Sequence, residues 1–356
     1  MSSAVVAIVG GGVIGLSCAR ELARAGATVT VLEAGEAVGR GSSARANGGV
    51  RAQFTTPANV AFSRFSIDAF EELAREDDRI AFHQTGYLLI AGTPEREHAL
   101  REAIDVQHQL GVPTEWLGPD DVVARAPFVR PEEIRGGAFH RRDGFLDPAG
   151  VVAASAADAR RLGATIRTDA PVGAIGKGFV VGLDEGDVRA DVVVNAAGAD
   201  AKAIAELAGS DVPVEPVRRN LAHVMDRAGG WIVAYSDPDD PPGRETSVDP
   251  AFLPALASRL PNRFPFVLDL PIDPSRCWAG LYPETPDHHA IVGEDPRVSG
   301  LFHCVGFGGH GVMHAPAAGR AVAELVMTGR SETFDVHPLR PSRFDEGDLL
   351  VEAAVF

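Results

Sequence analysis

Cysteine is scarce: Cys18, Cys277 and Cys304 are the only three in 356 residues, scattered and odd in number. That excludes a disulfide framework, and the lack of any C-x-x-C pair excludes a cysteine-ligated zinc or iron–sulfur centre. A reducing, cytoplasmic setting is expected. Lysine is nearly missing too, occurring only as Lys177 and Lys202. With 33 basic against 49 acidic residues the formal charge is −16, which argues against nucleic acid or an anionic membrane surface as a partner. Apolar runs such as "DVVVNAAGA" fall far short of the roughly 20 residues that cross a bilayer. A strand pattern begins by Ala4 with no basic segment before it, so no signal peptide is expected. What remains is 45% hydrophobic and 23% charged, an ordinary globular composition with room for two domains.

"AVVAIVG" reads as a buried strand, Leu16–Ala25 as a helix and "TVTVLEA" as the next strand, a compact βαβ unit. Val60, Phe62, Phe65, Ile67, Phe70 and Leu73 recur at near-helical spacing over 59–76. "HQTGYLLIAG" reads as a strand and residues 93–111 as a helix, before a turn-rich stretch over 113–146 holding a short strand, "GGAFH". A helix starts after Asp147, its N-cap, with Pro148 in the first helical position. Extended "TIRTDAPVGAI", the strand "ADVVVNAAG" and a short helix through Leu207 follow. Residues 212–275 are broken by proline, with antiparallel strands in "RRNLAHVM" and "GGWIVAY" and a surface turn at 237–242. Strand 301–305, a glycine turn and a helix to about Met327 close the pattern. This alternation implies two interwoven domains, one binding a nucleotide and one built on an antiparallel sheet.

Gly10, Gly12 and Gly15 form G-x-G-x-x-G between a strand and a helix, with Glu33 at the end of the next strand. Gly10 permits the tight turn, Gly12 lets a pyrophosphate approach the backbone, and Gly15 lets helix and strand pack closely. Phosphates then face the positive end of the helix dipole, and Glu33 suits ribose hydroxyls. This motif alone does not choose between NAD and FAD. The second glycine turn does, because a helix beginning at Gly309–Met313 would face the edge of a flavin that becomes anionic on reduction. Close packing alone is the plainer reading of Gly308, Gly309 and Gly311.

"VAIVGGGVIGLSCARELARAGATVTVLEAG", "GSSARANGGVRAQF", "DVVVNAAG", "WAGLYPETPDHHAIVG" and "GLFHCVGFGGHGVMHAPAAGRAVAELV" together resemble the D-amino-acid oxidase family. The resemblance is to its glycine oxidase, sarcosine oxidase and dimethylglycine dehydrogenase branch, and it spans essentially the whole chain. It implies an α/β fold: a Rossmann-like FAD-binding domain from 1–80, 147–216 and 276–345, interleaved with an antiparallel-sheet substrate domain from 81–146 and 217–275. Residues 346–356 are expected as a C-terminal tail. The implied FAD contacts are Gly10, Gly12, Val13, Ile14 and Gly15 at the pyrophosphate, Glu33 and Ala34 at the ribose, then Arg40, Ser42 and Ser43. Asn47, Gly48 and Gly49 are expected beside the flavin ring, where a side chain on either glycine would collide with it. Val172 is implied at the adenine, Ala197 and Gly198 near the cofactor, and Gly308, Gly309, His310, Gly311, Val312 and Met313 at its far end.

Departures from the family pattern inform as well. Gly280 stands where several members carry a flavin-linking cysteine, and the Trp-His pair of histidine attachment is missing, so noncovalent FAD is expected. Cys277 is expected to be a small buried residue. Met313 stands where sarcosine oxidases have a substrate-binding lysine, and "GGWIVAY" lacks their oxygen-assisting one. The second substrate-domain insertion is about twenty residues shorter than in relatives, more than ordinary loop trimming. Arg51 matches a carboxylate-binding arginine, a role its planar charged fork suits, although pairing with an acidic side chain of the protein stays equally open. Tyr282 and His310 complete the expected catalytic set. His288 and His289 read as structural, with no metal site expected. The implied reaction is hydride transfer from an amine or amino acid to flavin N5, giving an imine that hydrolyses, with oxygen or an electron carrier as acceptor. A 2-hydroxyacid dehydrogenase and a flavin-carrying subunit that needs a partner stay open, as does homo- or hetero-oligomerisation.

Overall fold

The computed structural model describes residues 4–225, 230–236, 240–266 and 272–352. A six-stranded sheet runs in the order Ile291–Glu294, Leu301–Val305, Val192–Asn195, Val5–Val9, Thr28–Leu32, Thr165–Arg167. Neighbours pair in parallel except at the Ile291–Glu294 edge. Its central strands are rich in Val and Ile because both faces are covered, one by helices and the other chiefly by a small antiparallel sheet of Ala174–Gly176, Val180–Gly182 and Val188–Arg189. Ile8 pairs with Val194 on one side and Val31 on the other.

Helix Val13–Arg24 leaves this sheet after the first glycine turn and buries Leu16, Cys18, Ala19 and Leu22. It packs against helix Gly311–Thr328, which leaves the sheet after the second glycine turn. The two backbones meet at Gly319, where a Cβ would stand 2.5 Å from the Ser17 carbonyl oxygen. Helix Pro148–Arg161 starts as its sequence requires, the Asp147 carboxylate accepting from the Ala149 amide at 2.8 Å. Helix Pro57–Glu76 turns Val60, Phe62, Ile67, Phe70 and Leu73 inward.

The remaining strands are antiparallel and correct one expectation. Among the described residues the anticipated single substrate sheet is two three-stranded sheets. One orders Tyr87–Ala91, Gly136–His140, Glu115–Leu117; the other Gly230–Ala234, Glu215–Met225, Ile272–Glu284. Phe128, just past helix Pro119–Arg125, meets Trp231 of the second sheet edge-on at 4.8 Å. Gly49–Val50 pairs separately with Gly144–Phe145.

Two helices stand where strands or turns were expected. Pro119–Arg125 and Phe252–Arg263 both carry prolines: Pro119 and Pro254 lie in first turns, which need no donated hydrogen bond from them, while Pro261 sits in the last turn and forgoes one. Cys277 is half-buried rather than buried, its thiol 3.7 Å from the Asp273 carbonyl. Residues 237–239 of the expected surface turn lie outside the described residues, as do 353–356 of the tail. Among the described residues no helix is long and apolar enough to cross a membrane.

Candidate cofactor and active site

The three motif glycines differ in what surrounds them. A Cβ on Gly10, whose φ is +109°, would stand 2.5 Å from the Ala196 carbonyl oxygen; one on Gly15 would stand 1.9 Å from that of Gly10. Protein alone closes those two positions. A Cβ on Gly12 would meet only Ser43 Oγ, at 3.4 Å, so this backbone faces open space at the helix start. Ser43 Oγ accepts from the Val13 amide at 3.1 Å, while Glu33 accepts from the Gly11 amide at 2.8 Å and the Gly35 amide at 2.9 Å. Ile14 is half-buried, and Ala34 beside Glu33 is exposed.

Farther along, Arg40 is exposed, 3.7 Å from Glu36. Ser42 Oγ donates to the Leu281 carbonyl at 2.7 Å, tying this loop to the strand that carries Tyr282. Asn47 accepts from the Gly49 amide at 3.2 Å. Protein atoms already crowd the next two glycines. A Cβ on Gly48 would stand 2.0 Å from the Leu146 carbonyl oxygen, and one on Gly49 would stand 2.4 Å from the Tyr87 hydroxyl. Val172 packs at the edge of the cluster holding Leu32 and Val181. Ala197 and Gly198 are half-buried beyond Asn195, which accepts from the Ala197 amide at 3.2 Å.

The second glycine turn opens two strands away from the first, at the end of Leu301–Val305. Gly308–His310 forms a single tight turn, and the helix after it has no side-chain cap. Gly309 is exposed, with Gly308, His310 and Gly311 half-buried. Val312 and Met313 are buried in the apolar cluster of Val13 and Leu16, which turns their side chains away from the groove. Two helix starts thus converge at the same end of one sheet, each with amides that no capping side chain of its own satisfies.

A third group lies beside the second turn. Arg51 is buried, its guanidinium 4.0 Å from the centre of the Phe54 ring and donating to the Gln53 carbonyl. Burial draws its pKa below the usual value, opposed by the negative charge of Glu352 and then by Tyr87 and Asp143. Phe54 meets His310 edge-on at 4.9 Å and His314 at 5.4 Å. Burial holds both imidazoles neutral: His310 titrates well below the ordinary range, and His314, 2.9 Å from Ser63 Oγ, is pushed down to about 3. Burial also raises the phenols, Tyr282 upward and Tyr87 to about 12. Tyr282 packs its ring on Gly309 and Tyr87 its hydroxyl on Gly49, so a tyrosine stands against each glycine stretch.

Supporting bonds fix this group. The Asp143 carboxylate accepts from the Ala52 amide at 2.9 Å, His140 Nδ1 at 2.6 Å and Gln53 Nε2 at 3.0 Å. Arg45 donates to the Ala279 carbonyl at 2.8 Å and fills the space beside Gly280, where a Cβ would stand 3.1 Å from its own. His288 is exposed beside Glu284, whereas His289 is buried and lies 3.2 Å from Thr56 Oγ1. Lys202 pairs with Glu215 at 3.1 Å, away from the group. Among the described residues no three His, Cys, Asp or Glu side chains cluster as metal ligands. Phe54, Tyr87, His314 and Glu352 escaped the sequence reading; only Phe54, three residues after Arg51, carried a signal of position.

Residues 6–325 match the FAD dependent oxidoreductase (DAO) family. The chain belongs to it. It is therefore an FAD-dependent oxidoreductase, and the open backbone at Gly12 with the second helix start, which no side chain caps, fits that cofactor. The chain is 28% identical to "FAD-dependent oxidoreductase domain-containing protein 1" of Xenopus laevis over 98% of its own length and 84% of that protein's. It is 29% identical to a Bacillus licheniformis glycine oxidase, covering 94% and 96%. The crystal structure of L-proline dehydrogenase from P. horikoshii superposes with a TM-score of 0.91 at 28% identity, over 98% of this chain and 100% of that one.

Proposed function

We propose that this chain oxidises the C–N bond of a small amino acid or amine whose carboxylate pairs with Arg51. The observation that carries the reading is the Arg51 guanidinium buried on Phe54, beside His310 and Tyr87. Gly12, Val13 and Ile14 would hold the FAD pyrophosphate in the turn shaped by Gly10 and Gly15, with Glu33 and Ala34 at the ribose and Ser42 and Ser43 beside them. Val172, Ala197 and Gly198 would line the adenosine side, and backbone amides of Gly308–Met313 the far end. Binding is noncovalent, since Arg45 occupies the space beside Gly280 where a linking side chain would need to reach.

FAD, when bound, would supply the two-electron oxidation of the substrate C–N bond to an imine, which water would then hydrolyse. Arg51 contributes a fixed positive fork that pairs with the substrate carboxylate and orients that carbon. Neutral His310 and His314 add no competing positive charge. Tyr87 and Tyr282 bound the space from two sides and exclude water. The names of two similar proteins, a glycine oxidase and an L-proline dehydrogenase, support an amino-acid substrate.

Anaerobic bleaching of the flavin by a panel of glycine, sarcosine, dimethylglycine, proline, D-amino acids and 2-hydroxyacids tests the reading. Bleaching by one amine class, needing much higher substrate in Arg51→Met, is expected. Bleaching by 2-hydroxyacids alone, or a yellow protein that no amine bleaches, overturns it.

A further inference from the structure

The C-terminal tail passes beneath the active site and brings a buried carboxylate to it. Glu352 lies past residue 325, where the family match stops, yet only 5% of its side chain is exposed. Its Oε1 accepts from the Thr55 amide at 2.7 Å and from the Thr55 hydroxyl. Its Oε2 faces the Thr56 hydroxyl at 3.0 Å, with the Thr56 amide and Asn59 Nδ2 each at 3.4 Å. Thr56 is the N-cap of helix Pro57–Glu76, and its own side chain makes no capping bond. A residue nearly three hundred positions away instead places its carboxylate on the two residues that lead into this helix, at the end where a negative charge is favoured.

The tail is held at a second point. The Leu350 amide donates to Asp287 at 3.2 Å, and Asp287 is gripped by Arg343 at 2.8 and 3.0 Å, with both side chains buried. His289, two residues on, lies 3.2 Å from Thr56 Oγ1 and 3.9 Å from Glu352. The tail, the loop after Tyr282 and the segment carrying Arg51 therefore meet in one polar knot. Glu352 also supplies the leading negative field at Arg51.

We propose that Glu352 is a positioning residue: by capping Thr55 and Thr56 it fixes the 51–56 segment, so Arg51 is ready for a carboxylate only when the tail is docked. This rests on the reading of Arg51 as the carboxylate-binding group. Closure costs the site little at each turnover, because the segment is held before substrate arrives.

The test uses the full-length holoenzyme with Glu352→Gln, Glu352→Ala and Glu352→Asp. Acetate serves as the carboxylate probe, read by flavin difference absorbance, with KM and kcat measured on whichever amine bleaches the flavin. Glu352→Gln puts an amide donor where donors already point. It should weaken acetate binding and raise KM by about three- to thirtyfold. kcat should stay within about twofold, and Glu352→Asp should recover part of the loss. Acetate affinity and KM both within about twofold of the parent in Glu352→Gln would overturn the proposal. If the parent binds no acetate, the reading of Arg51 has failed, and hydrogen exchange at the Thr55 and Thr56 amides decides the tail's role. Protection lost in Glu352→Gln sustains it, and unchanged protection ends it.

Discussion

The ring of Tyr282 stands 2.6 Å from the point where a Cβ on residue 309 would be, so these two residues share a single space. Gly309→Ala should push the ring aside and destabilise the fold by about 1–3 kcal/mol, the usual cost of overpacking. Denaturant midpoints of Gly309→Ala in the parent and in Tyr282→Leu should differ, with the second background tolerating the methyl. Equal losses in both would show that the ring is not what the methyl strikes.

Gly12 and Gly15 should fail in different ways. A methyl on residue 15 meets a backbone oxygen at 1.9 Å, so Gly15→Ala should unfold the first turn or abolish expression. A side chain on residue 12 meets only a serine hydroxyl at 3.4 Å. Gly12→Val should therefore stay folded by circular dichroism and lose its yellow colour, because it blocks the close approach of the pyrophosphate.

Arg51→Met should raise KM for the substrate by about thirtyfold or more, matching the roughly 2 kcal/mol or more lost with one partner of a buried charged pair. Arg51→Lys should recover little, since a lysine lacks the planar fork. Steady-state kinetics on the bleaching substrate checks both.

Stability should fall on acidification below neutrality because of His314. Its folded pKa is about 3, against about 6.5 when unfolded, so below 6.5 the unfolded chain binds the extra proton. The contribution is complete above about 6.5 and is lost as pH falls toward about 3, at a slope of up to about 1.4 kcal/mol per pH unit. Urea titrations between about pH 4 and 7 should show a shallower fall in His314→Gln than in the parent.

Asp287→Asn should cost about 3–5 kcal/mol, because it leaves the fully buried guanidinium of Arg343 without its carboxylate. Pairing it with Arg343→Met should recover most of that loss in denaturant melts, since the stranded charge is then gone as well.

Much of this architecture was legible along the chain. The first βαβ unit, the Asp147 cap and the spacing of Phe62, Ile67 and Phe70 are local or periodic features, and the structure keeps them. The helix Phe252–Arg263 was hidden because its prolines look like breakers until their place in the helix is known. The contact of Phe128 with Trp231 joins distant segments, a pairing that no spacing announces. Glu352 was invisible for the same reason. It is one acid among many in the sequence, and only the folded tail brings it to Thr55.

The order of the central sheet has a consequence for biosynthesis. The Val5–Val9 strand leaves the ribosome first, but its neighbour Val192–Asn195 comes much later and the Leu301–Val305 strand later still. Helix Val13–Arg24 must then wait for Gly319 to arrive before its Ser17 flank is covered. A nascent chain therefore carries an apolar, unfinished half-sheet through most of its translation, and such long-range pairing folds slowly. The second glycine turn is made last, so the full cofactor cradle can form only once the Leu301–Val305 strand has joined the sheet.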